Sequence, residues 1–234
     1  MRILDSNEYI NEKLDIHPVT KDRLSKFKEN PYVDENTRRF IEENHLVWNP
    51  KTMSYDCEGD VIVLDDIVID GKLRIRFGNV GGNFYCCHNE LTSLEGAPND
   101  VGGLFNCDNN NLTTLEGAPK KVGGDFNCSE NELTTLDGAP KKVGGYFDCC
   151  HNNLTTLEGA PNEVGGYFSC GINKLTTLEG APQKVGGGFV CNYNKLTTLE
   201  GAPNEVVGDF YCDNNPNLFL PEDKPSWLKG KIIK

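Results

Sequence analysis

The chain has 234 residues, 37% of them hydrophobic and 25 of them glycine, so a core is available but glycine replaces side-chain bulk in it. Lys+Arg 23 against Asp+Glu 35 leaves a formal charge of −12, which argues against coating nucleic-acid phosphates and against docking on anionic lipid. The opening MRILDSNEYI carries no apolar signal-peptide core, and no run approaches the ~18 apolar residues of a membrane span. A cytoplasmic protein is expected.

Residues 1–55 predict a small helical cap, with short helices over Ser6–Leu14, Thr20–Phe27 and Asp34–Glu43. Thr20 and Asp34 are placed to cap the second and third. Ile10, Leu14, Leu24, Phe27, Phe40, Ile41 and Trp48 would cover the first coil of whatever follows. A more specialised effector role for this segment is the other reading.

From about residue 57 the chain is a repeat. L-T-T-L-E-G-A-P-x-x-V-G-G-x-F-x-C-x-x-N-x recurs every 21 residues, bringing Phe84, Phe105, Phe126, Phe147, Phe168, Phe189 and Phe210 to one position. Cys86, Cys107, Cys128, Cys149, Cys170, Cys191 and Cys212 keep the same period of 21, and disulfide frameworks do not repeat in that way. A fixed period of this length means a solenoid. In x-F-x-C-x the alternation has period two, so a short strand with Phe and Cys inward is predicted. The Asn that follows would hydrogen-bond backbone in its own coil and in the next. E-G-A-P and V-G-G predict an extended or turn-like return path, since Pro breaks helices and Gly admits left-handed backbone.

Val61-x-Val63-x-x-Asp66-x-Val68 fits the template as a degenerate first coil over about 57–79, its strand 23 residues before the next. Seven regular strands follow, and eight strands at ~4.8 Å make a sheet roughly 34 Å long. Beyond Pro216-Asn217-Leu218 the pattern slips, and Leu220, Trp227, Leu228, Ile232 and Ile233 are available to cover the last coil. The resulting division is 1–55 as cap or effector, 56–217 as solenoid and 218–234 as C-terminal cap.

Phe-x-Cys-x-x-Asn-x-Leu resembles the L-x-L-x-x-N-x-L core of leucine-rich repeats, and L-T-x-L with a proline stretch resembles their short bacterial type. The resemblance covers about residues 57–220, with Phe and Cys in place of two leucines and an unusual V-G-G. It implies one parallel sheet on one face and an extended convex side. The repeat is also similar to leucine-rich proteins of large tailed bacteriophages, and S-N-E-Y-I-N-E-K-L is similar to capsid-targeting segments of T4-like phages. Ile10-Asn11-Glu12 would then be a protease site, although a plain amphipathic helix is the preferred reading of those residues.

Binding in solenoids usually resides on outward strand positions. Four such positions flank Phe and Cys in each of the seven copies; together they hold six carboxylates, five tyrosines and no Lys or Arg. Tyrosine among acids is the composition of a protein-binding surface. The residues expected to meet a partner with a basic patch are Tyr85, Tyr146, Tyr167, Tyr193 and Tyr211, with Asp125, Asp148 and Asp209 supplying charge. A merely solvated acidic face is the plainer reading. Reversing Asp125 and Asp148 to Lys is expected to abolish capture and leave the fold intact.

Cys86-Cys87-His88-Asn89 and Cys149-Cys150-His151-Asn152 raise a metal reading, but they sit three coils apart, roughly 14 Å, too far to share a zinc. Within each, the first cysteine points inward and the second outward. No metal, no cofactor and no enzymatic activity are expected; no phosphate loop or catalytic triad stands out. A phage protein that binds and inhibits a host factor, such as one of defence, is the leading reading. A packaged virion protein with a cleavable N-terminus and a carbohydrate-binding or adhesion module are the alternatives. Oligomeric state is open.

Overall fold

A computed structural model describes residues 34–234. The helices expected over Ser6–Leu14 and Thr20–Phe27, with the Ile10-Asn11-Glu12 motif, lie outside the described residues. The third is present. Helix α1 spans Glu35–Glu43, and the Asp34 carboxylate caps it by accepting the Thr37 N–H at 2.9 Å. Burial pulls the Asp34 carboxyl upward, but the Thr37 N–H and the Arg74 guanidinium, which pairs with it, hold it below its usual value. Phe40 and Ile41 are buried, with Phe40 edge-on to Phe77 at 6.2 Å.

After α1 the chain forms an antiparallel hairpin, Val47–Asn49 with Ser54–Cys57, in which Trp48 packs edge-on against Tyr55 at 5.1 Å. The sequence predicted helical cap here and missed the hairpin. Its second strand pairs with Phe77–Val80, so the hairpin closes one end of a sheet. Covering that end removes an open edge that would otherwise template pairing with another chain.

The body is a β-solenoid of about eight coils at 21-residue spacing, and it has two nine-stranded sheets rather than one. The expected sheet is present: Phe126–Asn127 pairs in parallel with Phe147–Asp148, Phe against Phe, and the pattern holds along the repeat. Val61–Ile62 joins it against Phe84–Tyr85, so the degenerate first coil takes its place in the stack. The second sheet is built from the return path. Lys121–Val122, Lys142–Val143 and their counterparts pair in register, each Val inward and each charged residue outward. An extended segment repeated at a fixed period has its backbone groups facing those of the next coil, and unpaired they would be costly inside a stack. The V-G-G step turns the chain from this valine sheet into the phenylalanine sheet within each coil.

The core is a set of ladders. Phe84 to Phe210 stack with ring centroids 5.1 to 5.7 Å apart, and the rings are close to parallel. The buried Asn ladder joins coils, but to the preceding coil rather than the next. Asn152 donates to the carbonyls of Cys128 (3.0 Å), Cys149 (3.2 Å) and Cys150 (3.1 Å), and its Oδ1 accepts the Leu133 N–H at 2.9 Å. The cysteines add bonds of their own: Cys149 Sγ donates to the Ser169 carbonyl at 3.2 Å and Cys170 Sγ to that of Val190 at 3.4 Å. A short thiol thus fills the space and bridges coils.

Two corners need left-handed backbone. One is the glycine of E-G-A-P, whose φ lies between 80° and 95° in the six regular repeats. The other follows the Phe strand, where His88, Asn109, Glu130, His151, Ile172, Tyr193 and Asn214 have φ between 50° and 56°. Asn accepts this conformation readily; a β-branched residue pays roughly 1–2 kcal/mol. Ile172→Asn is therefore expected to stabilise the protein by about 1 kcal/mol, raising the melting temperature by roughly 2–4 °C in a thermal scan.

At the far end, Ile232–Ile233 adds a ninth strand to the phenylalanine sheet against Phe210–Tyr211. Leu228 bridges to Val206, and Trp227 stacks edge-on against Phe210 at 5.4 Å. The C-terminal segment therefore extends both sheets while covering the last coil. No helix among the described residues is long and apolar enough to cross a membrane.

Candidate interaction face

The outer side of the phenylalanine sheet is where the sequence places the binding residues, and the structure separates them into groups. Tyr146 and Tyr167 occupy the position before Phe in adjacent coils and meet edge-to-face at 5.5 Å. They are 54% and 41% exposed, so the pair is a ready aromatic anchor. Tyr85 and Tyr211, half-buried, lie between Phe and Cys six coils apart, roughly 29 Å at the strand spacing. Tyr193, 54% exposed, stands at the left-handed corner on the other edge of the face. The five tyrosines therefore form one central pair with three outliers.

The aspartates have structural duties that the sequence did not reveal. Asp125 Oδ1 accepts the Tyr146 N–H at 2.7 Å, and Asp209 Oδ1 accepts the Lys231 N–H at 2.8 Å. Asp148 Oδ1 accepts the N–H of Cys150, two residues on, at 2.9 Å. Reversal of Asp125 or Asp148 to Lys thus removes an acceptor as well as a charge, and an orphaned N–H costs about 1–3 kcal/mol if buried. The repeat itself shows the clean substitution. Asn83 makes the bond equivalent to that of Asp125, accepting the Leu104 N–H of the next coil at 2.8 Å, and Asn127 makes that of Asp148, accepting the Ser129 N–H at 3.0 Å.

The two sheets differ in charge: among the outer strand positions, lysines occur on the valine sheet and none on the phenylalanine sheet between Tyr85 and Tyr211. Lys121, Lys142 and Lys184 point outward from the valine sheet, interleaved with Asp100, Glu163 and Glu205. Lys142 Nζ lies 2.7 Å from Glu163 Oε2, and that contact holds the Glu163 carboxyl below its usual value. A further acidic line escaped the sequence reading, which compared only variable positions. Glu95, Glu116, Asp137, Glu158, Glu179 and Glu200 are all exposed at one corner, one per coil. Like charges stacked in register repel by a few tenths of a kcal/mol per pair. Their signal was in the repeat as the E of L-E-G-A-P.

The inward thiols of the cysteine ladder are chemically quiet. Burial pushes Cys86, Cys107, Cys128, Cys149, Cys170 and Cys191 far above their ordinary range, and all ten cysteines are free. Cys150 is pushed up to about 12, mainly by burial and then by Asp148. A thiol held protonated is a poor nucleophile at neutral pH. No family model matches the chain, and no curated protein and no solved structure matches it either.

Proposed function

We propose that the chain is a non-enzymatic solenoid of leucine-rich-repeat type, encoded by a tailed bacteriophage, that binds and inhibits a host protein in the host cytoplasm. The observation that carries the binding reading is the charge of one sheet face. The outer positions of the phenylalanine sheet, from Tyr85 to Tyr211, bear aromatic and acidic residues with no Lys or Arg, while the valine sheet mixes lysines with Asp100, Glu163 and Glu205. Such a face complements a basic patch, and electrostatic complementarity sets partner choice and on-rate. The Tyr146–Tyr167 pair supplies the central anchor that an interface needs. The buried Asn ladder following a Phe-x-Cys strand supports the leucine-rich-repeat kinship, and the repeat's similarity to phage proteins supports the source.

Asp125→Asn, Asp148→Asn and Asp209→Asn together remove three charges while keeping every hydrogen bond described for them. At roughly 0.5 kcal/mol each, the triple variant is expected to bind a basic partner about tenfold more weakly, with a flatter salt dependence and unchanged thermal stability. Undiminished binding would move the interface off this face.

A further inference from the structure

One cluster on this molecule brings together three different metal-ligating side chains. A Cys87 sulfur, a His88 ring nitrogen and an Asp108 carboxylate oxygen all lie within 4.8 Å of one another. Two features of the fold produce this. In a regular strand the consecutive side chains of Cys87 and His88 would point to opposite faces, but the left-handed backbone at His88, φ 56°, breaks that alternation. The in-register stacking then sets Asp108, from the next coil, against Cys87, its counterpart 21 residues earlier.

A second observation points to a cation-binding role. Asp108 Oδ1 is buried and accepts no hydrogen bond of ordinary geometry, while the Cys87 thiol lies against the same carboxylate. A buried carboxylate oxygen without a partner is costly and rare, and a bound ion is one of the standard ways to satisfy it. The Asp108 backbone is meanwhile held firmly: its N–H donates to Asn106 Oδ1 at 3.1 Å, and its carbonyl accepts the His88 N–H at 3.1 Å. The carboxylate is thus aimed from a fixed main chain.

We propose that Cys87, His88 and Asp108 bind a zinc ion. One sulfur, one imidazole nitrogen and one carboxylate oxygen suit Zn²⁺, whereas Ca²⁺ and Mg²⁺ take oxygen shells. Bonds of about 2.0–2.3 Å in a tetrahedron require the three atoms to draw in slightly, which side-chain rotation supplies because His88 is exposed and the other two are half-buried. Binding releases the thiol proton of Cys87 and leaves a fourth position for water or an incoming ligand. His88 is exposed, so an ion can reach the cluster from solvent.

The chain contains its own control. Cys150 and His151 repeat the Cys-His pair, but Gly171 stands where Asp108 stands, and Cys150 Sγ is engaged 2.8 Å from Ser169 Oγ. One such site among the described residues follows. The sequence concealed it because the third ligand comes from the next coil, not from the Cys-Cys-His stretch.

The test is titration of the reduced full-length chain with Zn²⁺ alone, by calorimetry, and with Co²⁺ read by its absorption spectrum. One equivalent of Zn²⁺ is expected, with a thiolate-to-cobalt charge-transfer band and the intense visible bands of tetrahedral Co²⁺. Loss of a supporting group around a metal typically weakens binding 10–100-fold, so losing a direct ligand through Cys87→Ser or Asp108→Asn is expected to weaken it by more than about 100-fold. Cys150→Ser should leave it unchanged. Asp108→Asn is isosteric, so it isolates the ligand from the fold, which circular dichroism monitors. No binding by the folded chain, unchanged affinity in Asp108→Asn or Cys87→Ser, or loss in Cys150→Ser would overturn the proposal.

Discussion

Raising the pH past about 9 is expected to unfold the solenoid within roughly one to two pH units. Six stacked thiols, Cys86, Cys107, Cys128, Cys149, Cys170 and Cys191, are held protonated by burial, far above the ordinary value of 9.0. In the unfolded chain each loses its proton near that ordinary value, so the unfolded state binds fewer protons at high pH. Stability that is complete below the unfolded pKa is then lost as pH climbs toward the folded one. One unit above, each thiol costs about 1.4 kcal/mol and six cost about 8 kcal/mol, comparable with the ~5–15 kcal/mol stability of an ordinary domain. Tyr55, whose phenol burial also pushes up, acts in the same direction at still higher pH. Far-UV circular dichroism against pH under reducing conditions reads this directly. The double variant Cys149→Ala, Cys170→Ala should lose stability less steeply, by about 3 kcal/mol per pH unit. A chain that stays folded near pH 11, well above ordinary thiol pKa values, would contradict the account.

Asn152→Ala is expected to destabilise the protein by about 3 kcal/mol, lowering the melting temperature by roughly 6–12 °C. Asn152 is 8% exposed, and its Oδ1 alone satisfies the buried Leu133 N–H. Its Nδ2 shares the Cys128 carbonyl with Asn131 and the Cys149 carbonyl with Asn173, so those acceptors keep one donor when it is removed. The loss is therefore one orphaned donor plus three weakened bonds, and it falls mid-stack where two coils depend on it. Asn152→Asp should be worse: it keeps the acceptor, loses both donors and places a charge against carbonyl oxygens. The exposed neighbour Asn111 is the control, and Asn111→Ala should leave the melting temperature unchanged. Equal melting for the Asn152 and Asn111 variants would remove the ladder from the account.

The repeat made the solenoid legible because a 21-residue period maps one sequence position onto one spatial column. Phe147, Cys149 and Asn152 could be placed inward from that alone, and Val61 could be recognised as the first strand despite its 23-residue offset. The valine sheet escaped because Lys142–Val143 is two residues long and followed by Gly-Gly, too short to show alternation. Ile232–Ile233 escaped because nothing in it resembles Phe-x-Cys; its strand character comes from the open edge it covers. The hairpin around Trp48 and Tyr55 has a turn signal in Asn49-Pro50, but its strands of three and four residues show too little alternation to stand out among helical expectations. On the face, composition was readable but geometry was not. Tyr146 and Tyr167 proved to touch, Tyr85 and Tyr211 proved distant, and Asp125 carried a backbone bond that only the next coil explains. Contacts between coils are invisible to any reading that stays within one repeat.

The central claim is that the phenylalanine face, and not the valine face, holds a protein partner. Affinity capture from a lysate of the proposed bacterial host, read by mass spectrometry with three tagged full-length chains side by side, tests it most directly. The chains are the natural one, a variant with Tyr146→Ser, Tyr167→Ser and Asp148→Asn, and a variant with Lys121→Gln and Lys142→Gln. One stoichiometric partner with a basic patch, held by the natural and lysine-variant chains and lost from the tyrosine variant, is the predicted result. A partner retained by the tyrosine variant and lost from the lysine variant would place the interface on the opposite sheet and contradict it.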